Sequence, residues 1–248
     1  GIMRIEFVII TTTYERPIEI MRCLESVQNQ TYKNFKHIIV NDSPTADYSK
    51  LEEKVSTLSN VIYIKNENNL GKNASVNKVF QILKSENFSH YIIFLDDDDW
   101  LYNDALENIG NILEKEKVDW LVTNRTNKNK TLTKVKKIKN KYNYFWDMLL
   151  LRNLYGDATH AIKTKKAINF NFCQHIKNGE ELYYFIQLPF EFTYKNINTT
   201  DSDGYSVNGL TDLLKNKYKE NTKKLWREKF NLKMFIYMIL RTMKTFTR

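Results

Sequence analysis

The sequence predicts an α/β fold, a mostly parallel sheet flanked by helices. Three observations predict it. Short β-branched apolar runs alternate with amphipathic stretches through the first half of the chain, the pattern of a parallel sheet covered on both faces. Hydrophobic residues make up 42% of the 248 residues and aromatics 13%, enough to bury a sizeable core. Only 7 Gly and 3 Pro occur, which excludes collagen-like and linker-type chains.

Ile5–Thr12 reads as the first buried strand, rich in β-branched residues. Pro17 opens a helix to about Asn29; proline suits a first turn, where its missing N–H would be unpaired anyway. His37–Val40 is the second strand, Asp47–Leu58 the second helix, Val61–Ile64 the third strand and Ala74–Ser85 the third helix. Tyr91–Leu95 is the fourth strand. Asn103 or Asp104 caps a helix to about Glu116, and Val118–Thr123 is the fifth strand. The second half is less regular. Thr131–Ile138 reads as a basic hairpin or loop, Tyr142–Leu151 as a helix, Ala158–Ile162 as a strand with a helical turn after it, and Glu180–Leu188 as a helix led by two acids. Phe190–Tyr194 reads as a strand, Asn198–Asn208 as a polar loop, and Thr211–Lys219 and Lys223–Lys244 as closing helices.

The net charge of +9 is unevenly placed. Residues 125–141 hold Arg125 and seven lysines with no acid, and residues 223–248 hold eight bases and one acid. That leaves 22 bases against 28 acids on the rest, a mildly acidic body with two basic segments. Such segments suit an anionic partner, a lipid surface or plain solubility. Nucleic acid is not expected, because residues 125–141 carry no recognisable motif or interleaved aromatics. Two cysteines, Cys23 and Cys173, make neither a disulfide framework nor a zinc site by themselves, in keeping with a reducing cytoplasm. The apolar stretch Phe7–Ile10 is too short for a secretion signal, and Met234–Leu240 is far short of the roughly 20 residues that span a bilayer. A cytoplasmic protein is expected, free or peripheral on the inner face of the cell membrane. The basic C-terminal helix, with Trp226, Phe230, Phe235 and Phe246, would either lie on an anionic lipid surface or pack against the domain or a second copy of the chain.

In an open parallel sheet the ligand site lies at the carboxyl ends of the strands. That rule selects Thr11–Arg16, Asn41–Pro44, Lys65–Asn69 and Asp96–Trp100. The run Asp96-Asp97-Asp98-Asp99-Trp100 is the strongest signal. Four adjacent carboxylates after a buried strand repel one another, and a capping loop does not need so many. A divalent cation removes the conflict; Mg²⁺ or Mn²⁺ is held by one or two carboxylates plus substrate phosphates. In an extended segment Asp96 and Asp98 project to one side and Asp97 to the other. Asp42, after the second strand, is either a turn former or an acceptor for a base-ring N–H. Thr12, Thr13, Tyr14 and Arg16 offer hydroxyls, an aromatic face and a cation to the same ligand. Asn69-Leu70-Gly71-Lys72 breaks the chain before the third helix, with Gly71 permitting close backbone approach and Lys72 supplying positive charge near a phosphate.

These residues resemble family 2 glycosyltransferases of the GT-A fold, a Rossmann-like sheet. The resemblance covers about residues 3–195 and is strongest to about residue 123. It rests on Thr12-Thr13-Tyr14-Glu15-Arg16, on Ser26-Val27-Gln28-Asn29-Gln30-Thr31-Tyr32, on Asn41-Asp42-Ser43, on Asn69-Leu70-Gly71 with Asn77, and on Leu95-Asp96-Asp97-Asp98-Asp99-Trp100 as a DXD-type motif. It implies an inverting, metal-dependent hexosyltransferase acting on a UDP-sugar. The acceptor would be a glycan, glycolipid or glycoprotein of bacterial surface polysaccharide or glycan synthesis. Asp42 would then contact uracil, Asp96 the ribose or the metal's water shell, and Asp98 the metal, with Thr12, Tyr14, Arg16, Asn69, Gly71, Lys72, Asn77 and Asp97 completing the donor site. Gly179-Glu180-Glu181 resembles a Gly-Glu-Asp motif and nominates Glu181 as catalytic base. Asp99, Trp100, Asp157, His160 and Glu180 stand on the acceptor side. Where the family has an arginine before Asn77 this chain has Val76, so Lys72, Arg16 or a later residue must supply the cation. The expected division is a domain over 3–210, with a nucleotide-sugar half to about 123 and an acceptor half after it, then C-terminal helices over 211–248. Two other readings are a sugar-1-phosphate nucleotidyltransferase, which would want a Gly-rich loop where Thr11–Pro17 has none, and a catalytically silent binding subunit.

Overall fold

The structure, a computed structural model, describes residues 4–86, 90–203 and 210–247. Strands β1 (Phe7–Thr13), β2 (Phe35–Asn41), β3 (Val61–Lys65) and β4 (Tyr91–Phe94) lie parallel in the order β3-β2-β1-β4. Helices α1 (Glu19–Gln28), α2 (Ser49–Ser56) and α3 (Lys72–Ser85) make the crossovers. The sheet continues through β10 (Ala158–Lys163), β6 (Trp120–Asn127), β11 (Thr193–Ser202) and β5 (Asp99–Leu101). Strand β10 runs antiparallel to both β4 and β6, so the sheet is mixed beyond its first four strands. Helix α4 (Ala105–Glu116) lies between β5 and β6 in the chain.

Side-chain alternation sorts the core onto two faces. Phe7, Ile9, Phe35, Ile39 and Ile93 point to the side of α1, α2 and α4, while Val8, Ile10, Ile38, Val40 and Ile92 pack on α3 and on α6 (Leu182–Gln187). A period of two in strands buried on both faces produces this division. Trp120 is fully buried on the second face, stacked on Phe185 with ring centroids 5.6 Å apart.

Several elements differ from the sequence reading. The basic stretch is no self-contained hairpin: β7 (Lys130–Thr131) pairs with β6, and β8 (Lys134–Val135) pairs with β9 (Leu154–Tyr155). The helix read over Tyr142–Leu151 is present over Tyr144–Leu150 and winds as a π-helix, with buried Asp147 accepting from the Asn143 N–H at 2.6 Å and from Lys139 at 2.8 Å. The last strand starts at Thr193 and runs through Ser202, absorbing the start of the expected polar loop, because it finds β6 on one edge and β5 on the other. Residues 204–208 of that loop, with Tyr205 and Ser206, lie outside the described residues. α5 (Thr164–Ala167) follows β10, and α7 (Leu210–Leu225) and α8 (Leu232–Phe246) close the chain. Cys23 and Cys173 are free thiols.

The Ser26–Tyr32 stretch is a structural stitch. The Ser26 hydroxyl accepts from Leu101 N–H at 3.0 Å. The fully buried Gln30 amide donates to the Tyr102 carbonyl at 2.7 Å and accepts from Leu106 N–H at 3.0 Å, and Thr31 N–H reaches the Asn103 carbonyl. These bonds tie α1 to the chain just beyond the acidic run.

Candidate active site

The acidic run fills the turn after β4 and ends on the first residue of β5, Asp99, at the carboxyl edge of the parallel strands. Its side chains alternate: Asp97 and Asp99 are buried, Asp96 and Asp98 half-buried. One oxygen each from Asp96, Asp98 and Asp99 lies within 4.8 Å of the others, a grouping that fits a divalent cation. The expected pairing of Asp96 with Asp98 holds, and Asp99 joins them; Asp97 turns away to Arg16.

Three cations interleave with six carboxylates. Arg16 meets Asp97 at 3.0 Å and Asp98 at 2.9 Å. Lys72 meets Asp96 at 2.6 Å and Glu181 at 2.8 Å. Arg125 meets Asp99 at 2.9 Å and Asp157 at 3.3 Å. With all six acids ionised the rim keeps three uncompensated negative charges, an imbalance that an oxygen-ligated divalent ion reduces. Burial and the neighbouring Asp96 push Asp99 up to about 7, against the pull of Arg125. Burial likewise pushes Asp97 up to about 6. Asp96 moves the other way, because the Lys72 ammonium favours its charge. Burial opposes charge on Lys72, yet Asp96 and Glu181 override it and hold its pKa well above the usual value.

Arg125 was missed as a site residue in the sequence, where it reads as the first base of a lysine-rich segment. Its position near the end of a sheet strand was the available signal. It separates two hollows. One, of about 230 Å³, has Lys72, Asp96, Arg125, Asp157 and Glu181 at its polar rim and Val76, Phe94, Met148, Phe172 and Phe185 among its apolar lining; Thr12 lies on it too. The other, of about 260 Å³, lies between Arg22, Asp98, Arg125 and Ser202. Trp100 faces Arg22, whose guanidinium lies 3.1 Å from the indole centroid. Tyr14 is 46% exposed and free to stack on a planar ligand.

Other nominated residues are occupied by the protein itself. Asp42 is buried and accepts from Asn66 at 2.9 Å, Leu70 N–H at 2.8 Å and Gly71 N–H at 2.8 Å, so it pins the loop that carries Lys72. Of its roughly four acceptor directions, one is left for a ligand. Asn69 accepts from Gly71 N–H at 3.1 Å within the same loop. Gly71, with φ +89°, makes its close approach to the backbone of Lys177: an added Cβ would stand 2.7 Å from the Lys177 carbonyl oxygen. Asn77 clamps the backbone of Phe172 with both ends of its amide, at 3.1 and 2.8 Å, and does not line either hollow. Glu180 turns away from the acceptor side into a bidentate pair with Arg241 of α8. His160 lines the larger hollow, but its Nδ1 accepts from Trp120 Nε1 at 3.0 Å and its ring stacks on Phe185. Burial holds its pKa down at about 3, so it is neutral at physiological pH.

A sheet that is parallel through its first four strands and mixed beyond them, flanked by helices, is the GT-A arrangement, and solved glycosyltransferase structures superpose on this chain. The S. aureus TarS fragment in complex with UDP-GlcNAc aligns with a TM-score of 0.67 and 15% identity, over 91% of this chain and 68% of that one. A mannosyltransferase from Pyrobaculum calidifontis in complex with GDP-Man and Mn²⁺ aligns with a TM-score of 0.61 and 10% identity, over 96% of this chain and 69% of that one. The family model described as Glycosyl transferase family 2 matches residues 8–177. The chain belongs to that family. An uncharacterized glycosyltransferase of Methanocaldococcus jannaschii is 35% identical over 114 residues, 44% of this chain and 37% of that protein. A UDP-Glc:α-D-GlcNAc-diphosphoundecaprenol β-1,3-glucosyltransferase of Escherichia coli is 34% identical over 116 residues, 47% of this chain and 44% of that protein. The matched stretch thus spans less than half of each of these relatives. Among the described residues, no helix is long and apolar enough to cross a membrane.

Proposed function

We propose that the chain is an inverting hexosyltransferase that moves a sugar from a UDP-sugar to a hydroxyl of a glycan, lipid-linked or glycoprotein acceptor in bacterial surface polysaccharide or glycan synthesis. One observation carries the reading: Lys72 joins Asp96 of the acid cluster to Glu181, setting a charge-dense donor site beside a carboxylate at the mouth of a sugar-sized hollow. The relatives that act on or bind UDP-sugars, one of them with a diphosphoundecaprenol acceptor, support the same donor and acceptor classes. On this reading residues 3–210 form the transferase domain, with a nucleotide-sugar half to about 123 and an acceptor half beyond it, and 211–248 form the C-terminal helices.

Asp98, with Asp96 and Asp99, would hold Mn²⁺ or Mg²⁺, which when bound neutralises charge on the donor diphosphate and its leaving group. Lys72 and Arg16 lie at hand to meet the phosphate oxygens as that charge grows. Tyr14 and Thr12 form one side of the nucleotide site, and Asp42 with Asn69 and Gly71 fixes the loop that aims Lys72. Glu181 accepts the proton of the acceptor hydroxyl while the oxygen attacks the anomeric carbon from the face opposite the departing diphosphate. Asp157 and Arg125 orient the acceptor, and Trp100 borders it. His160, neutral and held by Trp120, shapes the floor. Holding donor and acceptor together supplies a further large share of the rate.

Asp98→Ala should abolish Mn²⁺-dependent release of UDP from UDP-hexoses while circular dichroism and melting stay native. Full activity in that variant removes the metal assignment. We also propose that α8 touches an anionic lipid surface or a second copy: Phe235, Ile239, Met243 and Phe246 are exposed on a helix with Lys233 and Lys244.

A further inference from the structure

The glutamates at 180 and 181 part company at a kink. Gly179 and Glu180 both adopt left-handed backbone conformations, with φ +83° and +59°. Glu181 then enters the site to meet Lys72, while Glu180 points back into the protein. There its carboxylate, 12% exposed, receives two parallel bonds from Arg241, at 2.7 and 2.8 Å. Asn221 adds a third at 3.2 Å. Arg241 is itself 1% exposed. Its Nε donates to the Thr222 hydroxyl at 2.7 Å and its guanidinium lies over the Tyr218 ring at 4.1 Å.

We infer that Arg241 is a positioning residue for the transfer reaction: by gripping Glu180 it fixes the direction in which Glu181 presents its carboxylate. The inference rests on the reading of Glu181 as the base. A buried ion pair is weak evidence for stability, since well-packed apolar residues often do as well. What a planar two-bond fork adds is direction. A non-glycine residue in the left-handed region is disfavoured unless its surroundings hold it, and the Arg241 fork is such a hold. It also compensates the Glu180 charge, so that of two neighbouring acids only Glu181 faces the site.

The surroundings agree with a brace. Leu225, Met234 and Met238 of α7 and α8 pack with Cys173, Ile176, Tyr183 and Ile186. Glu228 accepts from the backbone N–H groups of Gln174 and His175 at 2.7 and 2.9 Å. From the opposite side Asn73 of α3 donates to the carbonyls of Ile176 and Gly179 at 2.8 and 3.1 Å. The segment that carries Glu181 is thus held between the helix that bears Lys72 and the C-terminal pair.

The test uses the full chain as Arg241→Met, Glu180→Gln, the double variant and Glu181→Gln. Arg241→Met alone strands a buried carboxylate, so its melting temperature falls together with its activity. The double variant leaves no uncompensated charge and regains most of the melting temperature. We expect its kcat for UDP release, with Mn²⁺ and the fastest of UDP-Glc, UDP-Gal, UDP-GlcNAc and UDP-GalNAc, to stay about 30-fold down, in the range that small misplacements of a reacting group cause. Donor KM should hold within about twofold. Amide hydrogen exchange over residues 176–187 should run about tenfold faster while the sheet strands keep wild-type protection. If kcat recovers together with the melting temperature, or exchange over 176–187 is unchanged, Arg241 contributes stability alone and the inference is overturned. An active Glu181→Gln instead removes the base assignment and this inference with it. An inactive Glu181→Gln beside a fully active double variant removes the inference only.

Discussion

Asp99→Asn should stabilise the metal-free protein, and more so as pH rises. The Asp99 carboxyl, with its side chain 5% exposed, is pushed from 3.8 up to about 7 by burial and by Asp96. A carboxyl whose pKa is raised on folding contributes stability that is fully present below about 3.8 and lost as pH climbs through about 7, because the unfolded chain has already released the proton. Each unit is worth about 1.4 kcal/mol, so about two units of the interval fall between pH 5 and 8, or ~3 kcal/mol. Asparagine matches the protonated acid in shape and has no proton to lose. The histidines His37 and His160, both held down at about 3 by burial, titrate alike in the two proteins and drop out of the comparison. The variant's advantage in melting temperature should therefore grow by about 8 °C from pH 5 to pH 8 in EDTA, at about 2–4 °C per kcal/mol for a chain of this size. Adding Mn²⁺ at pH 8 should raise the wild type more than the variant. Scanning calorimetry over that pH range decides. A variant that melts at or below wild type at pH 8 without metal would mean that the Arg125 pair outweighs desolvation, and the reasoning would fail.

Two further outcomes follow from the geometry. Gly71→Ala combines a left-handed φ with a Cβ 2.7 Å from the Lys177 backbone; it should destabilise by ~3 kcal/mol in urea melts, since the φ alone costs about 1–2 kcal/mol. Lipid contact through α8 is checked by sedimentation with phosphatidylglycerol vesicles. The double variant Phe235→Glu with Ile239→Glu, both exposed positions, should lose binding without change in helix content, and equal sedimentation of both proteins rules lipid contact out.

The strands were legible because β-branched apolar runs buried on both faces have few other places to go. Strand β5 was not: Asp99-Trp100-Leu101 is short and half polar, and only its partner Thr200–Ser202 makes it a strand. The π-helical winding of Tyr144–Leu150 leaves no mark in the apolar pattern, which fits an α-helix as well. The acids of the site were legible because they are adjacent in sequence. Their cations stand at 16, 72 and 125, and which acid each meets is decided by the sheet. In the sequence Glu180 reads as acceptor-side because it adjoins the nominated base in Gly179-Glu180-Glu181; its partner Arg241 lies 61 residues away on α8, a distance no local pattern bridges.

Stitching α1 to the chain beyond Trp100 through Ser26 and Gln30 has an energetic meaning for the acidic turn. Four like charges on a free loop would spread until solvent separated them. Here the turn is moored by β4 on one side and by a buried amide on the other, and the aspartates are denied that escape. Arg16, Lys72 and Arg125 relieve their repulsion only in part, so a helix remote from the site holds a surplus of negative charge in place, ready for a divalent ion.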